Sequence, residues 1–398
     1  MTSYKLKGLI QEVISGEWGE EVSDDSAGIK VIRTTNFSNI GKLNLDKEIV
    51  LRKIESDKIA KKHLVVGDTI IEKSGGSPDQ PVGRVVFFEE DGMYLCNNFT
   101  SVLRPNKDLV EPKYLMYLLF NLYRQRKVLK FQNKTTGIIN LKLDQYLNKT
   151  KVDIPSKEIQ LKVVNALDKA FHLIEKRQSQ IEALDELIQS VFLEMFGDPN
   201  QLGKYSKLPL SEFGEIITGN TPPRKEKDNY GEFIEWIKSD NINTPSTYLT
   251  KAEEYLSEKG MKKGRVVPKN SILVTCIAGS KSCIGNAAIA DRSIAFNQQI
   301  NAIIPNVNPY FLYTHFLVGK ALIQSASTNG MKGLVSKGVF KNIEFIYPPQ
   351  EEQKKFGDIF LEIEEQKKQL KNSLKDMEDL YNSILHKTFK CELFQEQA

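Results

Sequence analysis

The stretch "YPPQEEQKKF" (347–356) joins a proline turn to the glutamine-bearing start of a long helical pattern. The same kind of junction occurs as "IPSKEIQLKV" (154–163), 193 residues earlier. The prolines mark where each helix begins. The acidic residues Glu158, Glu351 and Glu352 complement the positive N-terminal end of a helix. A junction that is built twice, half a chain apart, predicts an internal repeat.

An apolar stripe with alternating spacings of four and three residues follows each junction. The first stripe has one polar break, Arg177, and the second has one, Lys367, which stands 193 residues after Ile174 of the first stripe. Such a 3.5-residue repeat is typical of coiled-coil helices, and about 40 residues at ~1.5 Å each give a helix of about 60 Å. Either stripe alone fits an ordinary long helix packed on a core, but two stripes in one register favour antiparallel pairing with each other. The stripes consist of Val163, Leu167, Ala170, Ile174, Ile181, Leu184, Ile188, Val191 and Met195, and of Phe356, Phe360, Ile363, Leu370, Leu374, Met377, Tyr381 and Ile384.

The segments before the two helices also correspond in order. They are short β-branched or alternating runs bounded by Gly, Asn or Pro, which predicts strands. Gly16 corresponds to Gly219, and each set of strands leads into an apolar helix, 112–129 or 308–324. The matched runs are "IKVIRTTNF" (29–37) with "IEWIKSDNI" (234–242), "GDTIIEKSGG" (67–76) with "KNSILVTCIAG" (269–279), "VGRVVFF" (82–88) with "IGNAAIA" (284–290), and "YLCNNFTSVLRP" (94–105) with "IAFNQQINAIIP" (294–305).

These patterns predict an α+β protein with two globular domains, each followed by a long helix. The expected boundaries are 1–152 for the first domain, 153–198 for the central helix, 199–346 for the second domain and 347–398 for the C-terminal helix. A chain of 398 residues is indeed too long for one ordinary hydrophobic core.

Composition narrows the function classes. The longest uncharged apolar run, "YLMYLLFNLY" (114–123), is too short to span a membrane, and "MTSYKLKGLI" (1–10) lacks the apolar core of a signal peptide. The four cysteines, at 96, 276, 283 and 391, have no partners at metal-ligand spacing, and the four histidines are dispersed. We therefore expect a soluble cytoplasmic protein with reduced thiols, no metal and no membrane partner.

Charge is distributed unevenly, although the net charge is only +4. Residues 112–143 contain seven Lys or Arg and no acidic residue, and residues 292–343 contain five and again none. Residues 351–379, by contrast, hold nine acidic residues. Two basic windows, one in each half, are what a surface for a polyanion such as DNA requires.

Four segments resemble the specificity subunit of type I restriction-modification systems. They are "GNTPP" (219–223), "EWIKSDNI" (235–242), "KGLVSKGVFKNIEFIYPPQEEQ" (332–353) and "LIQSVFLEMFGDP" (187–199). Their order, duplication and spacing carry the resemblance, which extends over nearly the whole chain. The first half departs from the pattern, with "GEWGE" in place of "GNTPP" and Ile159 in place of Glu352.

The resemblance implies a DNA reader rather than a catalyst. In the family, two target recognition domains each bind half of a split sequence in double-stranded DNA. The paired helices act as a ruler and as the dock for two methyltransferase subunits, which restriction subunits join. The resemblance also implies that S-adenosylmethionine and ATP bind partner subunits, so no cofactor is expected in this chain.

Candidate DNA-binding residues come from the basic windows and from loops beside the strand ends. Basic side chains in the windows are expected to contact phosphates, and side chains that form paired hydrogen bonds are expected to read base edges. A solvated surface residue is the alternative for each one, and Asn97, Asn98, Asn297 and Gln298 could equally be buried strand-end amides. The phosphate candidates are Arg124, Arg126, Lys127, Lys130, Lys134, Lys320, Lys332 and Lys337, and the base-reading candidates are Arg33, Lys73, Ser74, Asn133, Thr135, Lys238, Asp240, Ser280 and Lys281.

Catalytic motifs are missing from the sequence. "TPPR" and "YPPQ" lack the leading acid or amide of an amino-methyltransferase motif, and "SGGS" (74–77) does not have the spacing of a phosphate-binding loop. The alternatives to a DNA reader are a coiled-coil scaffold that binds other proteins without recognising DNA, and an enzyme with an unrecognised site. The basic windows argue against the first, and the absence of a carboxylate cluster or cofactor loop argues against the second.

Overall fold

The computed structural model describes residues 2–22, 28–38, 40–77, 79–135, 138–201, 203–328 and 333–389, without the side chains of residues 134 and 135. The chain divides into two compact units. Unit 1 comprises residues 1–176 and 374–398, and unit 2 comprises residues 177–373. Each of the two long helices therefore contributes one part to each unit.

Among its described residues, unit 1 contains three α-helices of its own and parts of the two long helices, α4 (Lys157–Phe196) and α9 (Gln350–Phe389). Its helices are α1 (Ser56–Lys62), α2 (Pro112–Arg124) and α3 (Leu143–Lys149). Its strands are β1 (Thr2–Lys5), β2 (Ile10–Ser15), β3 (Glu20–Glu21), β4 (Ile29–Ile32), β5 (Val50–Lys53), β6 (Thr69–Glu72), β7 (Ser74–Gly75), β8 (Val85–Phe87), β9 (Tyr94–Cys96), β10 (Thr100–Pro105), β11 (Gln132–Thr135), β12 (Ile138–Leu141) and β13 (Lys151–Ile154).

Unit 2 has a matching set of elements. Its helices besides α4 and α9 are α5 (Glu258–Lys263), α6 (Pro309–Val318), α7 (Lys320–Ser325) and α8 (Lys337–Phe340). Its strands are β14 (Lys207–Pro209), β15 (Gly214–Thr218), β16 (Tyr230–Ile237), β17 (Tyr255–Leu256), β18 (Val266–Val267), β19 (Ile272–Thr275), β20 (Ile277–Ala278), β21 (Ala287–Ile289), β22 (Ile294–Phe296), β23 (Ile300–Pro305), β24 (Gly333–Leu334) and β25 (Glu344–Ile346).

The two units repeat one sheet topology. A four-stranded sheet runs β2-β10-β6-β8 in unit 1 and β15-β23-β19-β21 in unit 2, with antiparallel neighbours throughout. A second sheet in each unit contains a parallel pair formed by corresponding segments of the chain, β4 with β9 and β16 with β22. The strand that opens each unit pairs with the strand before the long helix, β1 with β13 and β14 with β25. The expected α+β class and the internal repeat are therefore confirmed.

The long helices are matched in length and position. Each has 40 residues, and α9 begins and ends 193 residues after α4. In unit 1, Phe171 of α4 contacts Tyr381 of α9, with ring centroids 6.0 Å apart. In unit 2, Phe192 of α4 contacts Phe356 of α9, with ring centroids 5.5 Å apart. The residue that lies later in α4, Phe192, therefore contacts the residue that lies earlier in α9, Phe356.

The apolar domain helices end earlier than their sequences predict. The helix expected over 112–129 stops at Arg124, because Arg126 takes a left-handed backbone with φ 56°. The helix expected over 308–324 is divided into α6 and α7 at Gly319. A Cβ atom there would lie 2.8 Å from the carbonyl oxygen of His315, so the chain passes too close for a side chain.

Candidate nucleic-acid interface

A turn at Asn97–Thr100 gathers several strands of unit 1. Asn97 N donates to the oxygen of Ile32 at 2.9 Å, which ties the turn to the end of β4. The carbonyl oxygen of Phe99 accepts from Lys73 N at 2.8 Å and from Ser74 N at 3.1 Å, which ties it to the end of β6. Candidates that lie apart in the sequence therefore surround one turn.

An equivalent turn, Asn297–Ile300, occurs in unit 2 with the same hydrogen bonds. Asn297 N donates to the oxygen of Ile237 at 3.0 Å. The oxygen of Gln299 accepts from Cys276 N at 2.8 Å and from Ile277 N at 3.1 Å. The backbone frame is thus repeated while the side chains around it differ.

A glycine is required beside each turn. A Cβ atom on Gly16 would lie 1.9 Å from the oxygen of Asn97, and one on Gly219 would lie 2.1 Å from the oxygen of Asn297. No side chain fits at such distances, so the correspondence of Gly16 with Gly219 has a steric cause.

The amides at the two turns divide into two kinds. Asn97 and Asn297 are buried, at 5% and 6% exposure, whereas Asn98 and Gln298 are exposed. The buried Asn297 shapes its own turn, because its Oδ1 accepts from Gln299 N at 3.1 Å and its Nδ2 donates to the Gln299 Oε1 at 3.0 Å. The first residue of each turn is therefore a buried amide, although Asn97 Oδ1 has no hydrogen-bond partner among the described residues, while the second residue is exposed.

Two base-reading candidates of unit 1, Ser74 and Asn133, lie on the outer strands of a small sheet, β7-β12-β11. Ser74 Oγ donates to Asn140 Oδ1 at 2.6 Å, and Asn140 lies opposite Asn133 across β11 and β12. Lys73 Nζ reaches the Oγ of Ser15 at 3.5 Å, and partial burial lowers the pKa of its amine.

Arg33 and Lys238 occupy equivalent positions in the two units. Each precedes a short 3-10 turn, and its backbone N–H donates to an asparagine Oδ1 at 3.0 Å, that of Asn36 or of Asn241. The asparagine therefore holds each basic residue at the end of its strand, β4 or β16.

Both of these basic side chains are held by a carboxylate that sequence reasoning missed. Arg33 lies 3.4 Å from the carboxylate of Glu48. Lys238 pairs with Glu254, which also binds Arg224 at 2.7 Å. Hydrogen bonds from Lys238 and then from Arg224 lower the pKa of the Glu254 carboxyl. Arg224 directly follows the "GNTPP" motif (219–223), and this position in the sequence could have identified it as a candidate site residue.

The phosphate candidates of unit 1 lie consecutively after α2. Arg124, Arg126, Lys127 and Lys130 are all exposed, and the last two belong to a 3-10 turn, Lys127–Phe131, that leads into β11. Arg124 is also bound to the long helix, since its Nη2 donates to the Asn382 Oδ1 at 3.0 Å. This contact places Arg124 beside α9. The segment that carries Lys127 and Lys130 instead continues into β11, the strand that holds Asn133.

The candidates of unit 2 are more dispersed. Asp240, Ser280, Lys281 and Lys337 are exposed, on three different short turns or helices. Lys320, at the start of α7, is half-buried and donates from Nζ to the side-chain oxygen of Asn286.

Three candidates cannot be placed. Lys332 lies outside the described residues, and the described part of β11 does not include the side chains of Lys134 and Thr135. In the described ranges, no group of three or more His, Cys, Asp and Glu side chains could hold a metal ion. None of the helices described is both long enough and apolar enough to cross a membrane.

The profile of the type I restriction modification DNA specificity domain matches this chain twice, at residues 3–183 and 203–376. The chain belongs to this family. It is a type I restriction-modification specificity subunit, as the resemblance in its sequence predicts. Specificity subunits of these systems are non-catalytic DNA-recognition subunits, so the chain is not an enzyme.

Curated relatives agree with the family. The putative type I restriction enzyme MjaX specificity subunit of Methanocaldococcus jannaschii is 23% identical over 373 residues, which cover 88% of this chain and 83% of that protein. The type I restriction enzyme HindI specificity subunit of Haemophilus influenzae is 23% identical over 383 residues, covering 74% of this chain and 80% of its own.

Solved structures share the fold. A chain from work on complex assembly and conformational transition of the type I R-M system aligns with a TM-score of 0.58 at 17% identity, covering 98% of this specificity subunit and 97% of that chain. The type I restriction-modification S subunit from M. genitalium aligns with a TM-score of 0.52 at 16% identity, covering 98% and 96%.

Proposed function

We propose that this specificity subunit recognises an asymmetric, bipartite sequence in double-stranded DNA, with one half read by each unit. The repeated turn, Asn97–Thr100 in unit 1 and Asn297–Ile300 in unit 2, carries the proposal. Its matched hydrogen bonds supply two equivalent frames, and its differing side chains supply two different readers. Two different sets of side chains on two equivalent backbone frames favour two different half-sites, with unread bases between them.

The two long helices set the distance between the half-sites in this proposal. They pair as an antiparallel coiled coil, with an approximate twofold axis relating the two repeats. The contacts between Phe171 and Tyr381 in unit 1 and between Phe192 and Phe356 in unit 2 support this direction of pairing. Half-sites about 34 Å apart would correspond to one turn of the duplex.

Phosphate contacts supply most of the affinity and little of the specificity. The exposed basic residues after α2, which are Arg126, Lys127 and Lys130, are the best-placed group in unit 1, because they adjoin the sheet that holds Asn133. In unit 2, the half-buried Lys320 and the exposed Lys337 serve this role together with Lys332, which lies outside the described residues.

Two methyltransferase subunits dock on the outer faces of the helices, and restriction subunits join that core. Among the exposed leucines of the long helices, Leu187 in unit 2 and Leu380 in unit 1 occupy equivalent positions, and they are 44% and 60% exposed. Equivalent exposed leucines suit two copies of one partner. The cofactors of the complex, S-adenosylmethionine and ATP, bind those partner subunits, and the assembly works in the cytoplasm.

The docking proposal predicts the effect of single charges. Leu187→Glu or Leu380→Glu should each weaken binding of one methyltransferase subunit by at least ~10-fold, because a charge would be buried in an apolar contact. Native mass spectrometry of the co-expressed complex would then give one methyltransferase per chain for either variant. The controls Gln178→Glu and Lys371→Glu lie nine residues before Leu187 and Leu380, on the opposite face of each helix. Each control should keep two methyltransferase subunits. Loss of both methyltransferase subunits from a control would argue against this surface.

Methylome sequencing of a host with and without this gene tests the function. Co-expression with its methyltransferase should produce one bipartite N6-methyladenine motif. Exchanging residues 1–150 for another recognition domain should change one half of that motif and preserve the other. A chain that assembles with partners but gives no motif would instead be a protein-binding scaffold.

A further inference from the structure

Phe99 is an exposed aromatic residue at the centre of the candidate reading surface of unit 1. Its side chain is 44% exposed. A single exposed phenylalanine on a protein surface is common and needs no special explanation. The backbone of this one is held in place, because its carbonyl oxygen accepts hydrogen bonds from Lys73 N at 2.8 Å and from Ser74 N at 3.1 Å.

Polar groups suited to base edges lie beside the turn that carries this residue. Ser74 is bonded to Asn140, which is paired across the sheet with Asn133, and Lys73 follows the same strand end. Hydroxyl, amide and amine groups can recognise base edges by hydrogen bonds. An aromatic ring cannot do so, and it offers an apolar contact instead.

The equivalent residue in unit 2 is Gln299, and the two are matched by their hydrogen bonds. The carbonyl of Gln299 accepts from Cys276 N and Ile277 N at the same two distances, 2.8 and 3.1 Å. Its side chain is half-buried and is oriented by Asn297 Nδ2, which donates to its Oε1 at 3.0 Å. The same backbone arrangement therefore carries an aromatic ring in unit 1 and a side-chain amide in unit 2.

We propose that Phe99 contacts the C5-methyl group of a thymine in the half-site read by unit 1, and thereby determines specificity at that position. Thymine is distinguished in the major groove by this methyl group, and apolar side chains including Phe are suited to contact it. The inference rests on the proposed function, because it requires unit 1 to face a base-paired half-site.

The test uses the subunit in complex with its methyltransferase and duplexes carrying the motif found by methylome sequencing. Each thymine of the motif is replaced in turn by deoxyuridine, which removes only the methyl group. One replacement should weaken binding of the wild-type complex by roughly 3- to 5-fold, as expected for one lost methyl contact. Phe99→Ala should bind the thymine and uracil duplexes equally, and Phe99→Leu should retain part of the difference.

Two variants of unit 2 serve as controls. Phe233→Ala removes another exposed phenylalanine, 59% accessible, and should leave the thymine–uracil difference intact. Gln299→Ala should relax the other half of the motif and leave this thymine recognised. The inference is wrong if every uracil duplex binds the wild type as tightly as the thymine duplex, or if Phe99→Ala keeps the difference. The absence of any motif would refute the proposed function and this inference together.

Discussion

Two glutamines explain at the residue level why the proline junction is built twice. Gln160 and Gln353 are both 1% exposed and lie at the start of α4 and α9. Gln160 Oε1 accepts from Glu111 N at 2.7 Å, and Gln353 Oε1 accepts from Asn308 N at 3.2 Å. Each Nε2 also donates to the carbonyl of the proline five residues earlier. The glutamine thus ties each long helix to the N-cap residue of the domain helix, α2 or α6.

Replacing this glutamine should destabilise the junction. Gln353→Ala leaves a buried N–H of Asn308 and a carbonyl of Pro348 unpaired, which should cost about 1–3 kcal/mol of unfolding free energy. Chemical denaturation would measure this loss. Gln366→Ala, at an exposed position of the same helix, should change stability by less than about 0.5 kcal/mol. Equal effects of the two variants would mean that the glutamine contacts do not stabilise the junction.

His315 is a buried titratable residue in unit 2. Its side chain is 0% exposed and packs on Phe345, with ring centroids 3.9 Å apart. Neither ring nitrogen has a hydrogen-bond partner among the described residues. Burial, and secondarily the charge of Lys207, hold the pKa of His315 well below its usual value.

The lowered pKa predicts a dependence of stability on pH. The folded state keeps His315 neutral, whereas the unfolded chain binds a proton below pH ~6.5, so acid favours unfolding by up to about 1.4 kcal/mol per pH unit. His315→Leu should remove this slope in denaturation curves measured from pH 7 to 5. Phe316→Leu, a buried neighbour that does not titrate, should lower stability at every pH and keep the wild-type slope. Identical slopes for wild type and His315→Leu would disprove the assignment.

At the element scale, the long helices bury more than the predicted seam. Phe171 and Phe192 lie one position beyond seam residues, yet they are 4% and 0% exposed. Phe192 contacts Phe311 of α6 at 5.6 Å as well as Phe356 of α9 at 5.5 Å between ring centroids. Each helix therefore packs on a domain and on the other helix, and a 3.5-residue repeat describes only the second contact.

The single polar break in the second stripe is a buried ion pair rather than a gap. Lys367 is 1% exposed, and its Nζ lies 2.5 Å from the carboxylate of Asp185 and 2.6 Å from that of Glu364. It also reaches the Oγ1 of Thr247 at 3.2 Å. The equivalent residue of α4, 193 positions earlier, is the half-buried Ile174, so the two repeats use this position differently.

Removing the buried lysine should be costly. Lys367→Ala leaves Glu364 without its partner inside the helix pair, and should lower the free energy of unfolding by about 3 kcal/mol. Lys368→Ala removes the neighbouring lysine, which is exposed and lies 3.8 Å from Glu365, and should cost less than about 0.5 kcal/mol. Denaturant titration at pH 7 compares them directly, and a smaller loss for Lys367→Ala than for Lys368→Ala would contradict the structure.

Sequence patterns predict the elements better than they predict the site. The helices, the order of the strand segments along the chain and the Gly16–Gly219 match follow from periodicity and from a glycine where no Cβ fits. The grouping of Arg33, Lys73 and Ser74 around Asn97–Thr100 does not follow from sequence patterns, because non-local strand pairing determines which loops lie together. The carboxylates that hold Arg33 and Lys238 were missed for the same reason, since Glu48 and Glu254 lie 15 and 16 residues further along the chain.

At the scale of the whole molecule, the repeat separates what must be constant from what must vary. The backbone bonds of the two turns, the junction glutamines and the 40-residue helices are the same in both copies. The residues differ at two other pairs of equivalent positions. Phe99 of unit 1 corresponds to Gln299 of unit 2, and Arg33 corresponds to Lys238. In the proposed function, this division would let one architecture carry two readings, because substitutions at the exposed positions leave the buried frame undisturbed.

The spacer between the half-sites should follow the length of the helix pair. Inserting one heptad into both α4 and α9 keeps the apolar seam in register and adds about 10 Å at ~1.5 Å per residue, or about three base pairs at ~3.4 Å per step. Methylome sequencing should then show the same two half-sites with a longer unread spacer. A heptad in α4 alone shifts one seam against the other and should reduce assembly instead. An unchanged spacer in the doubly extended chain would show that the domains, and not the helices, determine the spacing.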